Sequence, residues 1–86
     1  MDINKLIAII KDKLQRKIVI QNLEIEDKSF LHKKHKGHQD GKFHLKIIIE
    51  SSELAKLNKI TSTKKIYSIL DFELKEYIHS IQISLS

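Results

Sequence analysis

The chain has 86 residues, 41% hydrophobic and 31% charged, the balance of one soluble globular domain near the lower size limit for folding alone and not of a disordered segment. It contains no cysteine, which excludes disulfides and any thiol nucleophile, so iron–sulfur or zinc chemistry would have to use His or carboxylate here and thiolates from another molecule. The net charge is +5, and most of the excess lies in residues 28–46, where Lys28, Lys33, Lys34, Lys36, Lys42 and Lys46 face one acid, Asp40. Residues 2–15 predict a helix, because Ile3, Leu6, Ile7, Ile10 and Leu14 recur at three- and four-residue steps and Asp2 is a suitable N-cap. Residues 17–27 predict a strand; Leu23 and Ile25 share one parity and Ile18 and Ile20 the other, so a bend or bulge is expected near Gln21-Asn22.

Residues 28–42 have no hydrophobic period and hold both glycines, Gly37 and Gly41, which predicts a long loop. Residues 43–51 predict a strand, with Phe43, Leu45, Ile47 and Ile49 alternating with His44, Lys46, Ile48 and Glu50. Ser51 or Ser52 is positioned to cap a short helical turn around 53–57. Residues 62–77 predict a helix capped by Thr61 or Ser62, with Ile66, Ile69, Leu70, Leu74 and Tyr77 inward. Residues 78–85 predict a last strand in which His79 has the parity of Ile81, Ile83 and Leu85. This order of elements predicts an α+β fold, α-β-β-α-α-β, in a single domain spanning 1–86. Its two long helices are expected on one face of a three-stranded mixed sheet.

The opening Met1-Asp2-Ile3-Asn4-Lys5 does not read as a secretory signal, and no apolar run is long enough to span a bilayer. The expectation is a cytoplasmic protein with no membrane partner, monomeric when free. Nucleophile–base pairs, motif-spaced carboxylates and phosphate-binding glycine loops are lacking, so the expectation is that the chain is not an enzyme.

Four of the five histidines, His32, His35, His38 and His44, lie within thirteen residues, and His79 stands apart. Imidazole suits iron and zinc, but the spacing His32-x-x-His35-x-x-His38 matches neither a helical pair nor a zinc finger. Composition alone supports a basic loop that is either solvated or metal-binding. His44 is on the polar side of its strand, where it is exposed or hydrogen-bonded. A second use of the loop is phosphate binding by Lys33, Lys34, Lys36 and Lys42, which would be salt-sensitive and blind to sequence.

The segments Leu23-Glu24-Ile25-Glu26-Asp27-Lys28-Ser29 and His44-Leu45-Lys46-Ile47-Ile48-Ile49-Glu50-Ser51 resemble the "LEVxDxS" and "HFxVxxVS" runs of the BolA family. Ile66-Tyr67-Ser68-Ile69-Leu70 and Ile78-His79-Ser80-Ile81 resemble its "VYxxL" and "VHALxI" segments, and the likeness extends from about Leu6 to Ser84. The resemblance implies a class II KH-like fold and a monothiol glutaredoxin as partner. It also implies a [2Fe–2S] cluster shared with that glutaredoxin and its glutathione, in cluster assembly or trafficking and iron homeostasis, and none in the isolated protein. Carried over by position, the metal ligands are His79 and His32, with His35 and His38 as alternates. The chain departs from the family where "FxGxxxxxRHR" reads Leu54 to Lys64, without the glycine or the Arg-His-Arg cluster; only Lys64 and Lys65 are basic there. A KH-like nucleic-acid-binding transcriptional regulator is the alternative that the fold and the basic loop imply. Its usual Gly-x-x-Gly clamp is absent: Gly37 and Gly41 are spaced Gly-x-x-x-Gly between strands, and 58–62 holds no glycine.

Overall fold

The computed structural model describes residues 2–29 and 42–86. Helix α1 spans Ile3–Lys17, two residues beyond the predicted end. The Asp2 carboxylate accepts from the backbone N–H of Asn4, and Arg16 and Lys17 sit in the last turn, where cations complement the helix dipole. Its Leu6, Ile10 and Leu14 are buried, which is the face the three- and four-residue spacing predicts.

The strand expected over 17–27 is shorter, β1 spanning Asn22–Asp27. The reason is that Ile18 closes the helix: its N–H donates to Leu14 O at 2.9 Å and its side chain is buried in the core. The connection that follows is held by side chains from further along. Val19 N–H donates to Glu53 Oε1 at 3.2 Å, and Val19 O accepts from Ser51 Oγ at 2.6 Å. Gln21 exchanges two side-chain bonds with Ser52. Strand pairing then begins where Gln21 N–H donates to Glu50 O.

Strand β2, Phe43–Glu50, is central in the sheet order β1-β2-β3, antiparallel to β1 and parallel to β3, Ile78–Leu85. Leu45, Ile47 and Ile49 pack with α1 and with Ile66 and Leu70 in a core whose fully buried apolar members among the described residues are Leu and Ile, so the helices cover one sheet face. The opposite face carries Glu24 and Glu26, Lys46 and Ile48, Ser80, Gln82 and Ser84.

Between β2 and β3 the chain makes three helical segments. Ser51 caps α2 (Ser52–Ala55) by accepting from Leu54 N–H. The predicted helix over 62–77 starts earlier and is broken: α3 spans Lys59–Ile69 and α4 spans Asp71–Glu76. Asn58, not Thr61 or Ser62, is the cap, accepting from Thr61 N–H at 2.7 Å. Ser62 lies inside the helix and is buried, its hydroxyl donating to Leu54 O at 3.1 Å. Its polar group therefore ties α3 to α2. The break falls at Leu70, buried and with φ −99° and ψ 16°, which lets α4 turn toward β3. No helix of the described residues is long and apolar enough to cross a membrane.

Candidate metal-ligand site at the paired strand starts

Parallel pairing places the beginnings of β2 and β3 side by side. Phe43 pairs with Ile78, but His44 pairs with Ser80, so β3 carries one extra residue, His79, at this point. The extra residue resets the alternation. Ile78 is buried in the core, His79 is turned out and exposed, and Ile81 faces the core again. The expectation that His79 shares the side of Ile81 and Ile83 is corrected by this bulge.

The His79 ring lies with its centroid 4.8 Å from that of His44, tilted by 43°. His79 makes no side-chain hydrogen bond among the described residues. His44 is on the polar side of β2, as its alternation predicts, yet it is buried. Its Nδ1 lies 2.6 Å from Ser80 Oγ, so the hydroxyl orients the ring. Its backbone is equally fixed: His44 N–H donates to Ser29 Oγ at 3.0 Å, and His44 O accepts from Lys28 N–H at 2.7 Å. Ser29 N–H in turn donates to Asp27 Oδ1 at 2.9 Å. Beside the pair, on the polar sheet face, is a hollow of about 210 Å³ lined by Lys28, His44, Lys46, Ser80 and Gln82. Lys28 Nζ stands 3.4 Å from Glu26 Oε2 at its rim.

Of the residues singled out from the sequence, His32, His35, His38, Lys33, Lys34 and Lys36 lie outside the described residues. Lys42 is half-buried and its Nζ reaches Lys75 O at the end of α4, 3.5 Å away. His44 is the member that sequence reasoning left aside. The signal was present: a helical crossover makes β2 and β3 parallel, and parallel strands bring like ends together. Among the described residues no three His, Asp or Glu side chains are grouped to hold a metal ion.

These features define a small α+β protein that offers a pair of histidines at one end of a mixed sheet. The chain belongs to the BolA-like protein family, whose sequence model matches residues 14–86. It is 31% identical over 77 residues to the DNA-binding transcriptional regulator BolA of Haemophilus influenzae, a match covering 90% of this chain and 72% of that protein. Its fold is similar to that of BolA1 from Arabidopsis thaliana, with a TM-score of 0.78, 28% identity, and 92% of this chain and 87% of the other covered. The BolA domain of SufE1 from Arabidopsis thaliana is similar at a TM-score of 0.77 and 28% identity, with the same coverage of both chains.

Proposed function

We propose that this BolA-like protein works with a monothiol glutaredoxin in binding and passing on a [2Fe–2S] cluster, with His79 as one of its ligands. The observation that carries the reading is the exposed His79 ring, set out by the bulge and without a hydrogen-bond partner among the described residues. A ring so placed fits a metal that another molecule brings, because a ligating imidazole needs an accessible, unprotonated nitrogen. With no cysteine in the chain, the softer ligands come from the glutaredoxin and its glutathione. Imidazole in place of thiolate makes such a cluster less negative and raises its potential.

His44 and the histidines of residues 32–38 complete the reading. Ser29, bonded to the His44 backbone, anchors one end of the segment that carries His32. His32 follows Ser29 by three residues, a stretch of chain that spans at most about 10 Å. His32 is the second ligand in this proposal, His35 and His38 are its alternates, and His44 braces the site through Ser80. The chain is read as a partner protein and not an enzyme.

The test is the visible absorption and circular dichroism of the protein mixed with a monothiol glutaredoxin, iron, sulfide and glutathione, with His79→Ala beside it. The reading expects a spectrum distinct from that of the glutaredoxin alone, lost in the variant. A spectrum unchanged by the protein, or unchanged by the substitution, would refute it.

A second reading is supported by the Haemophilus influenzae relative, whose name describes a DNA-binding transcriptional regulator. Here the basic residues Lys33, Lys34, Lys36 and Lys42 would hold phosphate. Each such contact steepens the salt dependence by about one unit of logarithmic slope. Salt-titrated binding to duplex DNA, compared with a quadruple Lys→Ala variant, tests it: an unchanged slope would remove these lysines from the interface.

A further inference from the structure

The two edges of the sheet are protected very differently. Strand β1 carries Glu24, Glu26 and Asp27 among its six residues, and such charges discourage another strand from pairing. Strand β3 is the other edge and is longer, eight residues, with no Asp, Glu, Lys, Arg or Pro. Ser86 N–H donates to Ile49 O, which fixes the phase of the parallel ladder. The even-numbered residues 80–86 therefore turn their backbone groups toward β2. Ile81, Ile83 and Leu85 turn theirs to the open edge.

A cleft of about 470 Å³ runs along this edge, between the second half of β3 and the turn joining α2 to α3. Leu57, exposed at that turn, and Leu85 supply apolar wall, and Lys46 and Lys59 stand at the rim. Among the described residues no acidic side chain lines the cleft and neither lysine has an ion-pair partner.

We propose that the edge of β3 takes up an extended, acidic segment of a partner protein as a fourth strand. Backbone groups of Ile81, Ile83 and Leu85 would pair with it, and Lys46 and Lys59 would meet its carboxylates. Backbone pairing supplies affinity in this mode, and the flanking side chains supply choice. The charge decides among occupants. A second copy paired β3 to β3 would bring two lysine rims together on molecules of net charge +5. A single-stranded nucleic acid would find no aromatic ring among the described residues of the cleft to stack on. The proposal does not rest on the cluster reading: the outward backbone groups it uses, at Ile81, Ile83 and Leu85, lie beyond His79 along β3, although Lys46 and Gln82 line both this cleft and the hollow beside the histidine pair.

The experiment uses the whole chain, isotope-labelled, and two short fluorescein-labelled peptides, one alternating valine with glutamate and one alternating valine with lysine. The acidic peptide is expected to bind about tenfold tighter than the basic one and to slow amide exchange at Ile81, Ile83 and Leu85. Ile83→Pro removes an outward N–H without touching the β2 ladder and should abolish binding. Lys59→Glu, at an exposed helix start, keeps the fold and should weaken binding about fivefold. Equal affinity for the two peptides, protection on β1 instead of β3, or an unaffected Lys59→Glu variant would overturn the proposal. So would displacement of the acidic peptide by a short oligothymidylate, or a concentration-dependent dimer that Lys59→Glu strengthens.

Discussion

Lys13 on α1 and Glu73 on α4 form an ion pair with Nζ 2.6 Å from Oε2, and its two ends are unequal. The lysine side chain is 40% exposed, while the glutamate side chain is 4% exposed. The second carboxylate oxygen, Oε1, is buried with no hydrogen-bond partner among the described residues. Lys13→Met keeps most of the alkyl stem and removes the cation. Removing one partner of a fully buried pair costs about 3–5 kcal/mol, because the other charge stays desolvated and uncompensated. Water at the lysine end reduces this, to about 2–3 kcal/mol. In a domain of this size that loss lowers the melting temperature by about 10–20 °C. The double variant Lys13→Met/Glu73→Leu removes both charges and should return to within about 1 kcal/mol of the parent. Urea unfolding followed by far-ultraviolet circular dichroism reads all three proteins, provided the m-value is constant. A Lys13→Met loss under about 0.5 kcal/mol, or a double variant no better than the single one, would refute the reasoning that Glu73 depends on this one cation.

Three further outcomes are expected. Glu53 is held below the ordinary glutamate range, first by its hydrogen bond to Lys65 and next by that from Val19 N–H, against a smaller upward push from burial. Its stabilising contribution is therefore present above the ordinary value of about 4.3 and lost as pH falls through the depressed folded value. The gap in urea midpoint between the parent and Glu53→Gln should close over that acid range, and a gap independent of pH would contradict it. Ser51→Ala takes the cap from α2 and the donor from Val19 O, and should cost about 1–2 kcal/mol in the same unfolding assay. Ser80→Ala removes the hydroxyl that orients His44; the proposed cluster reading expects it to alter the circular dichroism of the mixture with glutaredoxin, iron, sulfide and glutathione while changing stability by less than about 1 kcal/mol, and an unchanged spectrum would separate His44 from the proposed ligand site.

The parts of the fold that sequence disclosed are those where one apolar period runs unbroken. Leu6, Ile10 and Leu14 mark the buried face of α1, and Leu45, Ile47 and Ile49 that of β2. What escaped it lies where local signals were ambiguous. Ile18 and Ile20 read as the start of a strand, but a buried isoleucine just past a helix end looks the same in sequence. The first turn of α3 holds Lys59 and a well-exposed Ile60, so no period announces it, and the hydroxyls of Thr61 and Ser62 drew attention from Asn58. The break at Leu70 has no glycine or proline to mark it, and its cause is tertiary: the chain must turn to bring β3 beside β2.

The candidate site shows the same division in a sharper form. Residue type pointed to His79, and strand parity misplaced it, because parity holds only while pairing is regular. One unpaired residue at the start of β3 turns the side chain from the core to the surface without disturbing Ile78, Ile81 or the strand beyond. A histidine directed inward among isoleucines would be costly to bury and closed to a partner. The bulge resolves that conflict, and it does so next to His44, the one position where β2 presents another imidazole. Strand β3 thereby presents a histidine at its beginning and, toward its end, backbone groups with no partner strand among the described residues. The cluster assay reads the first of these features and the edge assay the second, so either can fail without the other.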